Sequence, residues 1–586
     1  MGDEGSSRRS AVSVGDHDGD GLGAKTPGPS RLRRLLTGAR SRDALPWWVL
    51  AGGLVVSAVM WLILNSKLWF FYDTWDFILN RVRVSSPDLA LWQPHNEHWV
   101  TLPILLFRLM FSVFGLKHHL PYVVPLLAMH LVICVIIAWM LRRNGVSRWT
   151  VVGVTLILGF LGAGAENLEW EFQTGFVGSV MFGLLSLVVL SRGRTGRWRI
   201  VGAWVLMTAG LMCSGVGVTM VGCAALLVLL RRGVVKAAIV ASVPVVVYSA
   251  WYATFGRYNT HPHPSVKDLD GLPRYVWTGL TRPWETTTGI PGSGALIILV
   301  IVGVVLLSGR RHPLAAVLAV GAVAQLTISG FLRVQYGVDQ AGSSRYAYLI
   351  CIYTSVAVGI AVDAVVRRLG RPRWFTCGLM AGLCLAVMAN GVALAATYMI
   401  GTRPSTSKER DTVLAAIAVS DSGQRILSDI PDVGFPSIGL TSITLTGALA
   451  IRDELPNAQP SPQGYVDVAS DLLVGQGSAV DDLPLAKGIS VFGLSTIGTA
   501  SAGCQQYVPT SGEERIALSI SQQGGRVVLT VPAPNIKTRL EYGSVFGEFT
   551  DRTLPAGQPV SVGTTSRGGI LDIYVPAGSS VSVCAG

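Results

Sequence analysis

Runs of apolar residues, each about long enough to form a membrane-crossing helix, recur through the first two thirds of the chain. A helix rises about 1.5 Å per residue, so roughly 20 residues cross a hydrocarbon layer of about 30 Å. The first run follows a polar leader too long for an ordinary signal peptide, and we interpret it as an uncleaved span. The eleven predicted spans are residues 47–65, 121–141, 149–165, 175–191, 199–215, 217–231, 235–253, 293–308, 313–331, 346–366 and 374–398.

The pattern changes after residue 398, where the chain becomes soluble in character. A helix is predicted at 409–418 and a short strand at 424–427. From about residue 500, apolar and polar residues alternate, and the segments 516–520 and 527–531 flank a Gly-Gly pair in the manner of a hairpin. This part of the chain is therefore predicted to be a small α/β region followed by a β-sandwich.

Charge is scarce, and it is unevenly placed. Charged residues make up 14% of the chain, with a net charge of +12, whereas soluble domains carry roughly a quarter. Basic clusters lie at 31–42, 142–143, 192–199, 231–232, 310–311 and 367–373. With eleven spans and a cytoplasmic N-terminus, every cluster falls in the cytoplasm, as the positive-inside rule requires. The basic excess therefore predicts orientation in a plasma membrane and not nucleic-acid binding.

These observations predict a mainly α transmembrane bundle of about eleven spans with a C-terminal extracytoplasmic α/β plus β-sandwich domain. Residues 1–46 form a disordered cytoplasmic tail, 47–398 the polytopic membrane domain and 399–586 the outer globular domain. The first outer loop, 66–120, contains a further apolar stretch at 102–116. We assign it as a helix on the membrane surface, because a span there would invert every later cluster.

The first outer loop carries two carboxylates among aromatic residues. Asp73 and Asp76 follow the first span directly, within the sequence WFFYDTWDF. Aromatic residues are expected at a membrane interface, but carboxylates embedded among them are less so. A partly desolvated carboxylate has a raised pKa and can act as a general base. The alternative is that the two acids only cap the following helix.

A second polar group in this loop is WQPHNEHW, at 92–99, which contains His95, Glu97 and His98. If the segment were helical, the two histidines would share a face and could hold a divalent metal beside Asp73. Hydrogen bonding to phosphate or hydroxyl groups and plain interfacial structure are the alternatives. No third anchoring motif selects the metal.

Other predicted outer segments carry charged side chains at the same depth relative to the membrane. Glu166 and Glu169 lie at the end of one span, where they form either a solvated rim or part of a site. Arg333 lies just outside one span, and Arg345 with Tyr346 lies at the mouth of the next. An arginine entering a span is costly unless it is paired, binds an anion such as a lipid phosphate or snorkels to the headgroups.

The cysteines divide into two groups. Six lie inside the apolar runs, where cysteine behaves as a small hydrophobic residue. Cys504 and Cys584 lie in polar sequence on the predicted outer side, where thiols oxidise. We predict that these two form a disulfide across the β-rich region.

The order of these features resembles the GT-C class of membrane glycosyltransferases. The sequence YDTWDF at 72–77 looks like the acidic motif of that class, and 106–127 looks like the segment after it in protein O-mannosyltransferases. SSRYAY at 343–348 is similar to an Arg-Tyr element in bacterial members that use polyprenyl-phosphate sugars. The paired Asp-Glu of the mannosyltransferases is here Asp73-Thr74, with the second acid at Asp76. That departure leaves the identity of the base open.

The resemblance implies a hexosyl- or pentosyltransferase with a GT-C-like fold. It implies a polyprenyl-phosphate-linked sugar donor, a glycan, lipid or protein acceptor on the outer face, contact with membrane lipid, and inversion by single displacement. Asp73 is the expected general base, with Asp76 second. The residues expected to bind donor phosphate or substrate are Arg345, Arg333, His95, Glu97, His98, Tyr346, Glu166 and Glu169.

Three questions stay open at this point. A divalent metal at Asp73, His95 and His98 is neither required nor excluded. A lipid-linked sugar flippase or transporter would place its polar groups near the membrane midplane, whereas the spans contain no chain of buried acids. A non-catalytic envelope assembly protein would keep the outer domain without needing Asp73.

Overall fold

The computed structural model of the protein describes residues 44–82, 91–191, 196–258, 268–368, 373–428, 444–500, 504–510, 514–532, 534–576 and 578–584. Nearly all of the predicted N-terminal tail, including its basic cluster, lies outside these residues. So do parts of the basic segments at 192–199 and 367–373.

The membrane domain consists of α-helices, and a helix occupies each of the predicted spans. In chain order the helices are α1 Leu45–Asn65, α2 Asp73–Asp76, α3 Thr101–Phe114, α4 Leu120–Arg143, α5 Arg148–Gly159, α6 Glu166–Glu169, α7 Thr174–Ser191, α8 Arg197–Leu211, α9 Val216–Arg232, α10 Val234–Thr254, α11 Leu272–Thr288, α12 Ser293–Ser308, α13 Pro313–Arg333, α14 Ser344–Arg368, α15 Arg373–Asp421, α16 Leu445–Ala450 and α17 Pro462–Leu472.

Among the described residues, seven helices are long and apolar enough to cross a membrane: α1, α4, α7, α10, α13, α14 and α15. The count is eight if α11 and α12, which meet at a bend of 116°, form one broken span. The chain is thus a multi-pass membrane protein. Helices α5, α8 and α9 are shorter than this test requires, so the count of eleven spans stays a prediction.

Small residues let the helices of the membrane domain approach closely. A Cβ added at Gly183 of α7 would lie 2.3 Å from Met220 of α9. On the same helix, the Ser179 hydroxyl donates to the carbonyl of Gly210 at 2.6 Å. Lipid provides no hydrophobic drive for helices to associate, so close packing and such hydrogen bonds have to hold them together.

Helix α15 runs without a break through the predicted domain boundary at 398. It is 49 residues long and includes Pro404. The sequence predicts the helix at 409–418 correctly, but as a separate element. Polar helix formers follow the apolar part, and the side chains of Thr406, Glu409 and Thr412 are buried on one side. Packing against the C-terminal region therefore continues the helix where the apolar pattern of the membrane helices stops.

The C-terminal region contains two antiparallel sheets. Their strands are β1 Val474–Gln476, β2 Ile489–Phe492, β3 Leu494–Ala500, β4 Cys504–Pro509, β5 Arg515–Ser519, β6 Gly525–Thr530, β7 Asn535–Tyr542, β8 Val545–Phe546, β9 Thr550–Thr553, β10 Pro559–Thr564, β11 Ile570–Tyr574 and β12 Val581–Cys584. One sheet has the order β1-β10-β6-β12-β4-β3, and the other β2-β5-β11-β7-β8, with β9 beside β7. Buried residues of both sheets belong to one apolar cluster.

The predicted hairpin at 516–531 is wrong, although both of its strands exist. Strand β5 pairs with β2 and β11, whereas β6 pairs with β10 and β12 in the other sheet. The alternating pattern predicts which residues of a strand are buried. The same residues are buried whether the two strands form a hairpin or face each other across a core, so the pattern does not distinguish the two arrangements. The chain turns between Ser521 and Gly524, which form one isolated antiparallel bridge, with Gly524 at φ 82°, and the two strands on either side belong to different sheets.

Two further details differ from the sequence prediction or add to it. Residues 424–427 form no strand; the amide of Leu427 donates instead to the carbonyl of Leu472 at 2.8 Å. Strands begin at Val474, earlier than the predicted position near 500. A disulfide joins Cys504 to Cys584, which lie directly opposite each other on β4 and β12.

Candidate active site

The carboxylates of Asp73 and Asp76 lie on one face of the single turn α2. Between them lies the buried ring of His95. Its Nδ1 is 3.0 Å from Oδ2 of Asp76, and its Nε2 is 3.6 Å from Oδ2 of Asp73. The spacing i, i+3 places the two acids on the same side of a helical turn, so one imidazole can face both.

The two carboxylates set the charge of His95. Burial lowers the pKa of its imidazole, but hydrogen bonds and charge from Asp73 and Asp76 outweigh burial and raise this pKa to about 9. His95 is therefore an imidazolium at neutral pH, with a proton on each nitrogen. Its Nε2 is buried and lies slightly beyond hydrogen-bond distance from the carboxylate of Asp73.

The segment that carries the two histidines is a tight turn and not a helix. The amide of each histidine donates to the carbonyl of the other, at 3.0 and 2.9 Å, and Asn96 between them has φ 52°. Nδ1 of His98 accepts the amide of Gly215 at 3.3 Å. Burial, together with the nearby arginines, lowers the pKa of His98 to about 4 against the opposing effect of Glu97. His98 is therefore neutral, with its proton on Nε2.

Each arginine predicted to bind phosphate is paired with a glutamate. The guanidinium of Arg333 contacts Glu97, and that of Arg345 lies 2.8 Å from Glu166. Burial raises the pKa of Glu97, but His98 and Arg333 outweigh it and lower this pKa to about 2. Because His98 is neutral near pH 7, Arg333 is the charge that keeps Glu97 ionised there.

One cavity brings most of the predicted residues together. Its polar lining includes Asp73, His95, His98, Arg333, Arg345 and Tyr346. Three further acids contact residues of this lining from behind. Asp76 contacts His95, Glu97 contacts Arg333, and Glu166 contacts Arg345. The cavity thus combines a carboxylate, an imidazolium and two guanidinium groups in one space.

Glu169 lies apart from this arrangement. Its side chain is fully buried, and neither carboxyl oxygen has a hydrogen-bond partner. Burial raises its pKa to about 9, so it is a neutral acid at pH 7. It does not line the cavity, and its predicted part in substrate binding gains no geometric support.

A buried network behind α2 was missed by the sequence analysis. Glu171 accepts the hydroxyl of Thr74 at 2.6 Å, and its other oxygen lies 2.5 Å from Nε2 of His119. The indole of Trp170 donates to the same hydroxyl at 3.0 Å. These contacts fix the turn that carries Asp73. The sequence contains no signal that joins Glu171 to these residues, 52 and 97 positions away.

Gln173 is a second residue that was not predicted. It lines the cavity, is 1% exposed, and its Oε1 has no hydrogen-bond partner. A buried amide oxygen without a partner is an acceptor for a ligand hydroxyl or amide. It directly follows the acidic segment, but nothing in its sequence context distinguishes it from a helix-start residue.

Asp73, His95 and His98 do not fit a metal ion. Nδ1 of His95 is directed at Asp76, and Nδ1 of His98 already accepts an amide hydrogen. In the described part of the chain, no group of three or more His, Cys, Asp or Glu side chains is arranged to hold a metal.

An apolar groove begins beside the cavity. It runs between α8 and α10 and is lined mainly by apolar side chains, among them Trp204, Met212 and Val247. The amide of Leu102 in this groove donates to the carbonyl of Met212 at 3.1 Å. The residues next in sequence, Pro103 and Cys213, line the cavity. The groove and the cavity are thus separated by one backbone contact.

The cavity lies at the helix ends opposite the basic clusters. Helix α14 has Arg345 at its start and Arg367 and Arg368 at its end. Helix α4 begins next to His119 and ends with Arg142 and Arg143. The two sets of charges are therefore separated by the full lengths of these helices.

No family model matches the sequence, and no curated protein matches it. Among solved structures, the chain is similar to ArnT from Cupriavidus metallidurans bound to undecaprenyl phosphate: identity is 13%, the TM-score is 0.41, and the match covers 74% of this chain and 93% of that one. It is also similar to the arabinosyltransferase EmbB from Mycobacterium smegmatis, at 11% identity and a TM-score of 0.32, over 97% and 65% of the respective chains. The function proposed below rests on the residues of the cavity and not on either likeness.

Proposed function

We propose that this protein is a membrane glycosyltransferase that moves a sugar from a polyprenyl-phosphate donor to an acceptor on the outer face of the membrane. The observation that carries the proposal is the shared cavity of Asp73, Arg333 and Arg345. A carboxylate that faces two guanidinium groups across one space suits a reaction that deprotonates a hydroxyl while a phosphate departs.

The arginines bind the phosphate of the donor. Polyprenyl phosphate is already a good leaving group, so its departure needs charge stabilisation more than it needs a proton. Arg345 and Arg333 supply this charge, and the neutral His98 can donate a further hydrogen bond. The paired glutamates, Glu166 and Glu97, hold the two guanidinium groups before the anion enters.

Asp73 accepts the proton of the acceptor hydroxyl. The acceptor oxygen bonds to the anomeric carbon as the bond from that carbon to the phosphate oxygen breaks, so the configuration at the carbon inverts. The electron pair leaves with the phosphate. Oδ2 of Asp73 lies 3.6 Å from Nε2 of His95, and a carboxylate oxygen is the group that can take up the proton.

Asp73 is preferred to Asp76 because only Asp73 lines the cavity. Asp76 lies 3.0 Å from His95 Nδ1, and its other oxygen accepts the amide of Asn80 at 2.8 Å. These contacts make Asp76 the group that orients His95. This arrangement assigns different roles to the two acids of the motif.

The apolar groove along α8 and α10 is where we place the chain of the lipid donor. Its lining is almost wholly apolar, and its residues Leu102 and Met212 are followed in the chain by Pro103 and Cys213 of the cavity lining. A polyprenyl chain in this groove would bring its phosphate to the arginines. The arginines at the far ends of α4 and α14 support a cavity on the outer face of a plasma membrane, because basic residues are enriched on the cytoplasmic side.

A cavity at the helix ends suits transfer better than transport, because a flippase needs its polar groups near the midplane. The acceptor is a hydroxyl of a cell-envelope glycan, lipid or protein, and the sugar is a hexose or a pentose. His95 and Gln173 present a donor and an acceptor within the cavity that suit sugar hydroxyl groups.

The test is transfer by the purified protein in lipid nanodiscs, with radiolabelled polyprenyl-phosphate sugars offered one at a time together with envelope extract as acceptor. We expect labelled product from one sugar and none when Asp73 is replaced by Asn. Transfer that persists in the Asp73→Asn variant, or movement of the donor across the bilayer without transfer, would overturn the proposal.

A further inference from the structure

We propose that Glu409, on the part of α15 that packs in the outer domain, is a positioning residue for the turn that carries Asp73. The inference rests on the proposed function, because it concerns the geometry of the proposed base. It makes the C-terminal domain part of the catalytic apparatus instead of a separate binding module.

The turn α2 begins from an unfavourable backbone conformation. Tyr72, directly before Asp73, has φ 51° and ψ −129°. Such a conformation is rare for a residue with a side chain and is unfavourable, so it persists only where the surroundings hold it. It aims the turn so that Asp73 faces the cavity.

Glu409 holds this conformation through one oxygen atom. Its Oε2 accepts the backbone amide of Tyr72 at 3.1 Å and the indole N–H of Trp75 at 2.9 Å. The two donors lie on either side of Asp73 in the sequence, 337 and 334 positions before Glu409. A fully buried carboxylate is stable only with such donors, so each partner stabilises the other.

Glu409 belongs to a wider contact between the first loop and the outer domain. The guanidinium of Arg410 lies 5.6 Å from the ring of Trp69, and the amide of Leu116 donates to the carbonyl of Glu454 at 2.8 Å. Phe70 and Trp75 share an apolar cluster with Val413 of α15 and with the sheets. The long helix thus connects the sandwich to the candidate base.

The experiment compares three substitutions at Glu409 in the full-length protein. Glu409→Gln keeps an oxygen that can accept both hydrogens, Glu409→Asp keeps the charge but withdraws the oxygen by one methylene, and Glu409→Leu removes the acceptor. The matched control is Glu514→Gln, because Glu514 is also buried and accepts a backbone amide, that of Gly578 at 2.9 Å, but within the sandwich.

We expect kcat to fall about tenfold or more in Glu409→Asp and Glu409→Leu, since a displaced catalytic group commonly costs up to about 10² in rate. The KM for the lipid donor should stay within about twofold, because the arginines are untouched. Glu409→Gln should recover most of the lost kcat, and Glu514→Gln should match the wild type.

A second readout does not depend on catalysis. Hydrogen exchange followed by mass spectrometry should show faster exchange in a peptide covering 70–78 for Glu409→Asp and Glu409→Leu, and unchanged exchange there for Glu514→Gln. Wild-type exchange and kcat in Glu409→Asp would overturn the inference, as would equal losses in kcat and in donor KM. If the wild type transferred no sugar, the proposed function would fail while the exchange result still decided whether Glu409 holds the turn.

Discussion

Two acidic segments of this protein, 73–76 and 166–171, lie close to the same cavity and differ in how their carboxylates are used. In the first, both acids face one histidine, and Asp73 lines the cavity. In the second, the three glutamates diverge: Glu166 pairs with Arg345, Glu169 has no partner, and Glu171 binds His119 and Thr74.

The difference shows that the chemistry of a carboxylate is set by its burial and its partners. Asp73 is near a cation and open to a ligand, so it can take up a proton. Glu169 is buried without a cation, and it keeps its proton at neutral pH. Glu171 is buried with donors, and its role is to hold other residues. The three carboxylic acids Asp73, Glu169 and Glu171 all lie near the end of an apolar run, and their different surroundings thus give them different roles.

A substitution in the first acidic segment, 73–76, should cause the largest loss of transfer activity. Asp73→Asn should reduce kcat by about 10² to 10⁴, as removal of a general base usually does, while expression and membrane insertion stay normal. The measurement is the transfer assay, with Asp76→Asn as the companion variant. A larger loss in Asp76→Asn than in Asp73→Asn would reverse the roles assigned to the two acids.

The next effect concerns Arg345, which pairs with the second segment. Arg345→Ala should raise the KM for the lipid donor roughly 10- to 100-fold, because a charged hydrogen bond is worth about 1.5–3 kcal/mol. Arg345→Lys should lose less, since a point charge partly replaces the guanidinium. Unchanged donor kinetics in Arg345→Ala would make this arginine an interfacial anchor.

Within the second segment, Glu171 should matter for stability more than for rate. Glu171→Gln keeps an acceptor for Thr74 but loses the carboxylate that binds His119. The free energy of unfolding should fall by about 1.5–3 kcal/mol, the usual worth of a hydrogen bond to a charged group. Thermal unfolding in detergent measures this loss. A melting temperature equal to that of the wild type would mean that the His119 contact does not hold the turn.

Replacing Glu169 should have the smallest effect, a change in melting temperature that depends on pH. The pKa of Glu169 in the folded protein, about 9, is above its ordinary value of 4.5. The unfolded chain therefore releases this proton at lower pH, and the wild type loses stability as pH rises from 4.5 to 9. Glu169→Gln has no such loss, so its melting temperature should gain on the wild type across that window, with turnover at pH 7 little changed.

A constant difference in melting temperature between pH 5 and pH 9 would contradict the protonated state of Glu169. A strong loss of turnover in Glu169→Gln at pH 7 would instead give this residue a part in the reaction. Either result would contradict the view that Glu169 is a protonated acid outside the reaction whereas Asp73 takes part in it.

The sequence alone determined the features that depend on local pattern. The lengths of the apolar runs located a helix at every predicted span, and alternation located the strands around 515–530 and 570–584. The loop 66–120 and the element at 343–348 supplied five of the seven polar residues named in the cavity lining, Arg333 came from the end of a span, and Gln173 was missed. Periodicity and composition report whether a residue is buried, and that much is encoded within a few neighbouring positions.

Only the tertiary structure decided which residues meet. The alternation of apolar and polar residues could not show that β5 and β6 belong to opposite sheets, because the same residues are buried whether these strands pair with each other or lie in facing sheets. Spacing could not show that Asp76 orients His95 while Asp73 faces the cavity. Nothing local linked Glu171 to His119 or Glu409 to Tyr72. These contacts join positions 52 and 337 residues apart, and such distances are closed by the packing of the whole chain around a shared core, which no short stretch of sequence specifies.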